Sequence, residues 1–404
     1  MKKTLVIIIA LLMVVAMAAG CNNNTPAGGS TSTPPATSTP STGSNTPAAP
    51  TSDEGPIRIA GVMAITGVLA GDGELNSRGI ELAVNQANAN GGVLGRQIEY
   101  IVEDGGSTPD TGMNAVNKVL SGDYDVMMGP HFSAQVLAIT DIMNEKQMLN
   151  IFGGTNPTIM GLLTSPYSVR CRVPDAINAR GCAVFMEEIG CKKIGLFTVS
   201  DDFGQGAKNV MSEYFDSVGI EYVTEIFNSE DRDFTTQLLN MKNAGIDSMV
   251  LWGLGDTPVI IARQMYELGM SELKVMSSGV VTTPDLRARM EPEWYADWYS
   301  NSQWNPQSSS DASIQFNKDY EEAYGQKPNF LAAAWYSTTK WYLDCVEKAG
   351  TTDKDAVLAV MKETKDFPAL NGNYTYRDRD LCNSVIIVQT PIDGTINDVK
   401  FVEG

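Results

Sequence analysis

The sequence predicts an α/β fold with two mostly parallel sheets that carry helices on both faces. Short apolar runs of strand length alternate along the chain with longer helical patterns, which is typical of βαβ units. The folded part, residues 56–404, is longer than one hydrophobic core usually supports. We therefore expect two lobes, each built on its own sheet.

The first half of the folded part alternates regularly between strands and helices. Apolar residues recur with helical spacing at 79–87, and Asn90-Gly91-Gly92 follows as a stop signal. We predict strands at 57–65, 98–102, 126–128 and 148–152, and helices at 79–87, 110–120, 134–143 and 176–189.

The alternation continues through the second half and changes character near the C-terminus, where helices follow one another directly. We predict strands at 193–198, 221–227, 248–252 and 274–277, with helices at 207–218, 235–244 and 256–268. Helices at 314–324, 331–349 and 355–364 then precede short strands near Tyr374 and at 385–389.

Residues 1–20 predict an export signal. Lys2 and Lys3 precede an apolar run, and small residues lead up to Cys21. A cysteine at this point resembles the lipobox of bacterial lipoproteins, although Ala18 stands where a bulky aliphatic residue is usual. The resemblance implies lipidation of Cys21 and anchoring to the outer face of the cytoplasmic membrane; the alternative is ordinary secretion with a stray cysteine.

Residues 22–52 contain no charged side chain and no apolar residue larger than Ala or Pro. Such a segment cannot bury enough apolar surface to fold. We predict that residues 21–55 form a lipidated, disordered tether.

Charge and cysteine content exclude several classes of function. The net charge of -19 argues against nucleic acid as a partner. Five cysteines follow Cys21, and no CxxC pair suggests a metal site. Cys345 and Cys382 are the preferred disulfide, whereas the other three, Cys171, Cys182 and Cys191, are expected to be small buried hydrophobic residues.

No catalytic motif is present. The only histidine is His131, and the chain has no GxSxG, HExxH or GxxxxGK[ST] segment. The segment Gly71-Asp72-Gly73 lacks the third glycine of a dinucleotide fingerprint. We therefore predict a binding protein without a cofactor, in which His131 either supports its loop or contacts the ligand.

In open α/β sheets the ligand lies beyond the carboxyl ends of the strands, so the loops at those ends are the candidates. Ser133 and Thr155 each follow a strand and precede a helix, where they could receive a carboxylate or simply act as N-caps. Phe203 lies in a glycine-flanked loop and could cover a ligand. Asp256 and Leu254 occupy a similar loop after the strand at 248–252.

Several segments, taken in order, resemble the leucine/isoleucine/valine-binding protein family. They are IRIAGVMAITGVLAGDG, RGIELAVNQANANGGVLGRQIEYIVEDGGSTP, MMGPHFSAQ, GGTNP, DDFGQG and WGLGDTPVIIARQMYELG. The resemblance implies a type I periplasmic binding protein, in which two Rossmann-like lobes joined by three crossovers close over a small solute. It implies lobe 1 at 56–173 plus 303–372, lobe 2 at 174–302 plus 373–404, delivery to an ABC permease, and a monomer.

The resemblance also implies site residues. Ser133 matches the family's serine that binds the substrate carboxylate or amine, Gly153 and Thr155 match the next loop, and Phe203 matches an aromatic residue that covers the solute. Leu69, Leu254 and Leu331 would shape the apolar side of the pocket.

One position departs from the family. Where relatives place an acid for the α-ammonium group of the solute, this chain has Ser278-Gly279. Because an unpaired buried ammonium is costly, either another acid replaces it or the solute lacks that group. Asp256 is the first candidate, followed by Asp202 and Glu74. The solute is then a branched-chain amino acid or a similar small amino acid, carboxylate or amide.

Two other functions remain open at this point. The chain could be a sensing module that reports a solute to a signalling partner, or an anchored enzyme that reuses the fold. A sensor usually needs a membrane-spanning link, and no apolar stretch of that length follows Pro56.

Overall fold

The computed structural model describes residues 55–382 and 384–404. The first part of the chain builds a parallel sheet with the strand order β2-β1-β3-β4-β5. Its elements are β1 (Ile57–Met63), α1 (Ala70–Ala89), β2 (Ile98–Asp104), α2 (Pro109–Leu120), β3 (Val126–Met128), α3 (Ser133–Ala138), α4 (Thr140–Lys146), β4 (Asn150–Phe152), α5 (Ile159–Leu162) and β5 (Ser168–Arg170).

The next part of the chain builds most of a second sheet. Its elements are α6 (Asp175–Glu188), β6 (Lys193–Val199), α7 (Asp202–Val218), β7 (Glu221–Phe227), α8 (Thr235–Ala244), β8 (Ser248–Trp252), α9 (Thr257–Glu267), β9 (Lys274–Ser278), α10 (Pro284–Ala288), α11 (Pro292–Tyr295) and β10 (Trp298–Ser302). The strand order β7-β6-β8-β9-β10 repeats the order of the first sheet, and these strands are parallel.

The last part of the chain serves both sheets. It contains α12 (Asp311–Tyr324), α13 (Phe330–Ala349), α14 (Lys354–Lys362), β11 (Ser384–Thr390) and β12 (Asn397–Glu403). The helix α13 packs on α1, where the carbonyl oxygen of Ala332 lies only 2.3 Å from the position that a Cβ atom would take at Gly79. The strands β11 and β12 extend the second sheet in antiparallel directions.

The chain therefore passes between the two sheets three times, after β5, after β10 and after α14. We call the parts built on the first and second sheets the first and second lobes. This confirms the predicted fold of two parallel-rich α/β lobes. Tyr374, Leu381 and Cys382 pack in the core of the first lobe. The exact boundary between the lobes, expected at residue 372, stays a prediction.

Two helices begin earlier than the sequence pattern predicts. The pattern predicts helices at 79–87 and 207–218, but α1 begins at Ala70 and α7 at Asp202. In both helices a first-turn glycine lies against the carbonyl of the preceding strand end. A Cβ atom at Gly73 would lie 1.9 Å from Ala64 O, and one at Gly204 would lie 1.9 Å from Val199 O. These glycines allow close packing of the helix on the strand rather than a flexible loop.

The predicted disulfide between Cys345 and Cys382 is wrong, because both are free and buried thiols. The Cys382 thiol lies beside Gln303 and Asn371, with sulfur-to-nitrogen distances of 3.9 and 3.7 Å. Cys345 lies instead on α13, where its thiol is next to the hydroxyl of Thr364. The two side chains belong to the same core cluster but have different neighbours.

The leader, Cys21 and the tether lie outside the described residues. Within the described ranges, no helix combines the length and the apolar character needed to cross a membrane.

Candidate functional site

The candidate site lies between the lobes, at the carboxyl ends of the strands. Each sheet reverses its strand order on either side of its first strand, between β1 and β3 in the first lobe and between β6 and β8 in the second. Ligands of open α/β sheets bind at such switch points, since neighbouring loops diverge there and leave a crevice. The two switch points face a common cleft.

The cleft contains two connected cavities. The inner cavity has a volume of about 40 Å³, which is room for only a few water molecules. The outer cavity measures about 760 Å³. Asp72, Gly255, Thr283 and Leu286 line both. The first lobe supplies to the inner cavity Asp72, His131, Phe132, Phe330 and Leu331; the second lobe supplies Phe203, Leu254, Ser278, Val280 and Leu286; Arg172, Asn178 and Asn301 lie near the crossings.

The lobes touch each other around the inner cavity. Leu254 of the second lobe packs against Leu69 and Phe132 of the first. The amide of Asn156 donates a hydrogen bond to the carbonyl of Asp202, 2.6 Å away. The two lobes therefore contact each other across the cleft. Leu254 lines the inner cavity, whereas Leu69 packs behind it and lines neither cavity; that the two residues shape the solute pocket stays a prediction.

Ser133, Gly153 and Thr155 lie together behind the wall of the inner cavity and do not line it. The Ser133 hydroxyl accepts hydrogen bonds from the backbone amides of Thr155 and Asn156, at 3.1 and 3.2 Å. The Thr155 hydroxyl donates to the Asp175 carboxylate at 2.9 Å. These contacts hold the loop after β4, and the direct solute contacts expected for the three residues stay a prediction.

Phe203, Leu254, Ser278 and Leu331 are brought together as lining residues. Phe203 lies in the first turn of α7 and its ring centroid is 5.7 Å from that of Trp252. The Ser278 hydroxyl donates to the Gly253 carbonyl at 2.8 Å and accepts from the Gly253 amide at 3.1 Å. Ser278 therefore fixes the loop after β8.

The acids suggested as substitutes for the family's ammonium partner lie away from the inner cavity. Asp256 lines only the outer cavity and pairs with Arg289 at 2.8 Å. Glu74 is exposed and pairs with Arg78 at 2.5 Å. Asp202 is exposed. The acid that does line the inner cavity is Asp72, in the first turn of α1.

Burial raises the pKa of Asp72 to about 6, and the nearby carboxylates of Asp256 and Asp285 add to this. The backbone amide of Gly255 and the guanidinium of Arg172 act in the opposite direction. At neutral pH this carboxyl group is therefore mostly ionised. The sequence pattern missed Asp72 because its two flanking glycines indicated a loop; a helix that begins at Ala70 would have placed it at the cleft.

Arg172 is the second charged residue of the inner cavity that the sequence reasoning missed. It is buried, its Nε donates to the Gln303 side chain at 3.1 Å, and its guanidinium carbon lies 5.4 Å from the Phe330 ring centroid. Burial lowers its pKa. The available signal was a charged residue inside the short apolar segment that leads from the first lobe to the second.

His131 lies between two hydrogen-bond donors. The indole nitrogen of Trp335 donates to its Nδ1 at 2.9 Å, and Nη1 of Arg172 lies 3.0 Å from its Nε2. Burial and the Arg172 charge hold the His131 pKa well below its usual value, so the ring is neutral. A neutral imidazole accepts at one nitrogen only. Only one of the two contacts is therefore a hydrogen bond, and the tautomer of the ring decides which.

A chain of polar side chains links the two lobes beside the cavity. The Asp175 carboxylate accepts from Asn178 Nδ2 at 3.4 Å, and Asn178 Oδ1 accepts from Asn301 Nδ2 at 2.7 Å. Because an ionised carboxylate can only accept, this order fixes both amides. It leaves Asn301 Oδ1 buried, with no hydrogen-bond donor among the described residues. Burial raises the pKa of Asp175 to about 6.

These groups form a site that can bind but has no catalytic arrangement. Both ring nitrogens of His131 face Trp335 and Arg172, so the imidazole does not activate a nucleophile. In the described ranges, no three His, Cys, Asp or Glu side chains are grouped so that they could hold a metal ion.

Comparisons with known proteins agree with this geometry. A family model described as periplasmic binding protein matches residues 56–391. The Leu/Ile/Val-binding protein homolog 2 of Brucella abortus (strain 2308) is 25% identical over 307 residues, which cover 75% of this chain and 81% of that protein.

Two solved structures have the same fold. A solute-binding protein of an ABC transporter from Rhodopseudomonas palustris BisB5, in complex with 3,4-dihydroxybenzoic acid, superimposes with a TM-score of 0.78 at 22% identity, covering 87% of this chain and 98% of that one. The branched-chain amino acid transporter substrate-binding protein LivJ from Streptococcus pneumoniae, in complex with isoleucine, gives 0.77 at 20% identity, covering 86% and 100%. The relatives are named as binding proteins and not as enzymes, in agreement with the prediction from the sequence.

Proposed function

Since the chain belongs to the periplasmic binding protein family, we propose that it captures a small amino acid, carboxylate or amide outside the cytoplasm and presents it to an ABC permease. The observation that carries this proposal is the pair of connected cavities in the cleft, because both lobes contribute polar and apolar side chains to them. The outer cavity, at about 760 Å³, has the size of a small-molecule site, and such sites combine apolar side chains with a few convergent polar groups.

The mechanism is closure of the two lobes. The lobes exchange between open and closed arrangements, and a solute held by both walls stabilises the closed one. The permease then recognises the closed shape. The contact of Leu254 with Leu69 and the hydrogen bond from the Asn156 side chain to the Asp202 carbonyl join the two lobes in this arrangement.

Known relatives support a small acid as the solute. The similar structures hold isoleucine in one case and 3,4-dihydroxybenzoic acid in the other. A branched-chain amino acid is the default, and aromatic carboxylates and amides are the main alternatives.

The proposal is tested in two steps. A thermal-shift screen over amino acids, aromatic acids and amides should identify a stabilising solute, since a ligand at 100 times its dissociation constant stabilises by about 2.7 kcal/mol. Small-angle X-ray scattering without and with that solute should then show a smaller radius of gyration at saturation. An unchanged radius would contradict capture by closure.

We further propose that residues 1–20 are an export signal and that Cys21 carries the lipid anchor. Expression in a bacterial host should place the chain in the membrane fraction, with a diacylglycerol mass on the peptide that begins at Cys21. Cys21→Ser should abolish that mass and release the protein, whereas Cys191→Ser, a change at a buried thiol of the second lobe, should leave it anchored. Release of both variants alike would exclude an anchor at Cys21.

A further inference from the structure

The inner cavity contains a buried cation that makes no ion pair among the described residues. Among residues 55–382 and 384–404, no carboxylate oxygen lies within 4 Å of the Arg172 guanidinium. The nearby Arg170 is also buried, but its guanidinium is paired with a carboxylate. Its Nε and Nη2 pair with the two carboxylate oxygens of Asp380 at 2.6 and 3.0 Å. Arg170 therefore stabilises the fold, whereas the guanidinium of Arg172 can still bind an anion.

His131 does not neutralise that charge. Its neutral ring can accept only one of the hydrogen bonds offered by Trp335 Nε1 at 2.9 Å and Arg172 Nη1 at 3.0 Å, and the tautomer decides which. Arginine has no acceptor atom and stays charged in proteins. A buried guanidinium of this kind needs an anion, and a carboxylate fits its planar fork with two parallel hydrogen bonds.

The residues around the same cavity include one acceptor without a donor and one carboxylate. Asn301 Oδ1 is buried and accepts no hydrogen bond from the described residues, and its amide orientation is fixed through Asn178. Asp72 supplies a carboxylate to the same space. A solute that carried only a carboxylate would add a second negative charge near Asp72 in a poorly solvated site, which is unfavourable. A solute that also carries an ammonium group offers a carboxylate to Arg172 and hydrogen-bond donors to Asp72 and Asn301 Oδ1.

We propose that the solute is a small zwitterion whose carboxylate binds Arg172 and whose ammonium group binds Asp72 and Asn301 Oδ1. This inference rests on the proposed function and names its solute class. It assigns the carboxylate to Arg172 instead of the Ser133 loop, and it gives the ammonium group a partner in the first lobe. The outer cavity, which continues from Asp72, receives the remainder of the solute.

The experiment uses the purified full chain in detergent and three matched sets of probes. L-leucine, L-phenylalanine and L-alanine are each compared with the acid that lacks the amine and with the amide that lacks the carboxylate. Thermal shift and calorimetric titration are measured for the wild type, Arg172→Gln, Arg172→Lys and Asp72→Asn. Arg263→Gln removes the same charge from α9, where Arg263 pairs with Glu267 outside the cleft, and serves as the control.

We expect at least one amino acid to bind best, its acid to bind more weakly, and its amide not to bind. Arg172→Gln should weaken amino-acid binding roughly 100-fold, and Arg172→Lys about 10-fold because the charge remains and the fork is lost. Asp72→Asn should weaken binding of the amino acid and leave binding of the acid unchanged. Arg263→Gln should bind as the wild type does, and the melting temperatures without solute establish that each variant is folded.

Three results would overturn the assignment. One is an amide that binds as tightly as its amino acid, and another is unchanged affinity in Arg172→Gln. The third is a wild type that none of the carboxylate probes stabilises. If a solute without a carboxylate nevertheless reduces the scattering radius, this inference fails while the proposed function stands; if no solute of any class does so, both fail.

Discussion

His131 is the only histidine of the chain, so its protonation can be followed without ambiguity. Its pKa is held well below the usual 6.5 by burial and by the charge of Arg172. We expect the single imidazole Cε1–H signal in a proton NMR titration to stay at its neutral position from pH 8 to about pH 5. The same chain in denaturant should titrate near pH 6.5. A native midpoint close to that value would refute the neutral ring.

Asp175 is a buried carboxyl group whose ionisation opposes folding. Its pKa rises from the usual 3.8 to about 6 because of burial, against the opposing effects of Thr155 and Arg172. A raised pKa favours the folded state at low pH, so this contribution is complete below pH 3.8 and is lost as the pH rises through 6. The difference corresponds to about 3 kcal/mol.

Asp175→Asn should therefore gain stability relative to the wild type as the pH rises from 4 to 7.5, by up to about 3 kcal/mol. Urea unfolding at both pH values measures this change. Thr155→Val is the matched control, because it removes the hydrogen bond to Asp175 and keeps the carboxyl group; its loss of stability with pH should persist. A stability difference between Asp175→Asn and the wild type that does not vary with pH would show that Asp175 ionises freely in the folded protein.

Sequence reasoning found the apolar part of the inner cavity and missed its charges. Phe203 and Leu254 were accessible because loops after strands can be located from the pattern, and Leu331 was implied by the family resemblance. Arg172 and Asp72 were not, because whether a charged side chain is paired depends on contacts far along the chain. Arg170 and Arg172 illustrate this: they are two positions apart, yet only Arg170 meets Asp380.

At the scale of elements, the two lobes repeat one arrangement. Both sheets have the same order of their first five strands, and in both the helix after the first strand has a first-turn glycine close to a strand-end carbonyl. Most strand and helix positions followed from hydrophobic periodicity. The early starts of α1 and α7 did not follow from periodicity. The sequence does not distinguish a glycine that permits close packing of a helix from a glycine that permits a loop.

Gly279 tests how closely the elements of the two lobes must approach. It has a φ of +78°, and a Cβ atom there would lie 2.6 Å from Cε1 of Phe330 across the cleft. Gly279→Ala should therefore separate the lobes slightly, weaken solute binding and increase the scattering radius of the complex. Backbone strain adds a loss of stability of about 1–2 kcal/mol.

Gly245→Ala separates the two effects. Gly245 has a φ of +74°, and a Cβ atom there would have no neighbouring atom within 4 Å, so the strain is matched and the contact is absent. We expect equal losses of melting temperature in the two variants and a loss of affinity only in Gly279→Ala. Equal affinities would show that the approach of Phe330 to Gly279 plays no part in closure.

At the scale of the whole molecule, affinity depends on the balance between open and closed arrangements as well as on contacts with the solute. A substitution at Leu69 changes the balance between the two arrangements without changing a residue of the inner cavity. It does not line the inner cavity, yet it packs on Leu254 of the opposite lobe. Leu69→Ala removes apolar contact that forms on closure, which we estimate at about 1 kcal/mol.

Leu69→Ala should accordingly weaken solute binding about fivefold, since 1.4 kcal/mol corresponds to tenfold. The loss should come mainly from faster dissociation, because the weakened contact forms after the solute has entered. Without solute, the radius of gyration should rise towards that of the open form. Leu239→Ala truncates a leucine that is 39% exposed on the outer surface of α8 and should change neither quantity. If Leu69→Ala also leaves both unchanged, the contact between Leu69 and Leu254 contributes nothing to closure, and the charged groups of the inner cavity must supply the free energy that holds the lobes together.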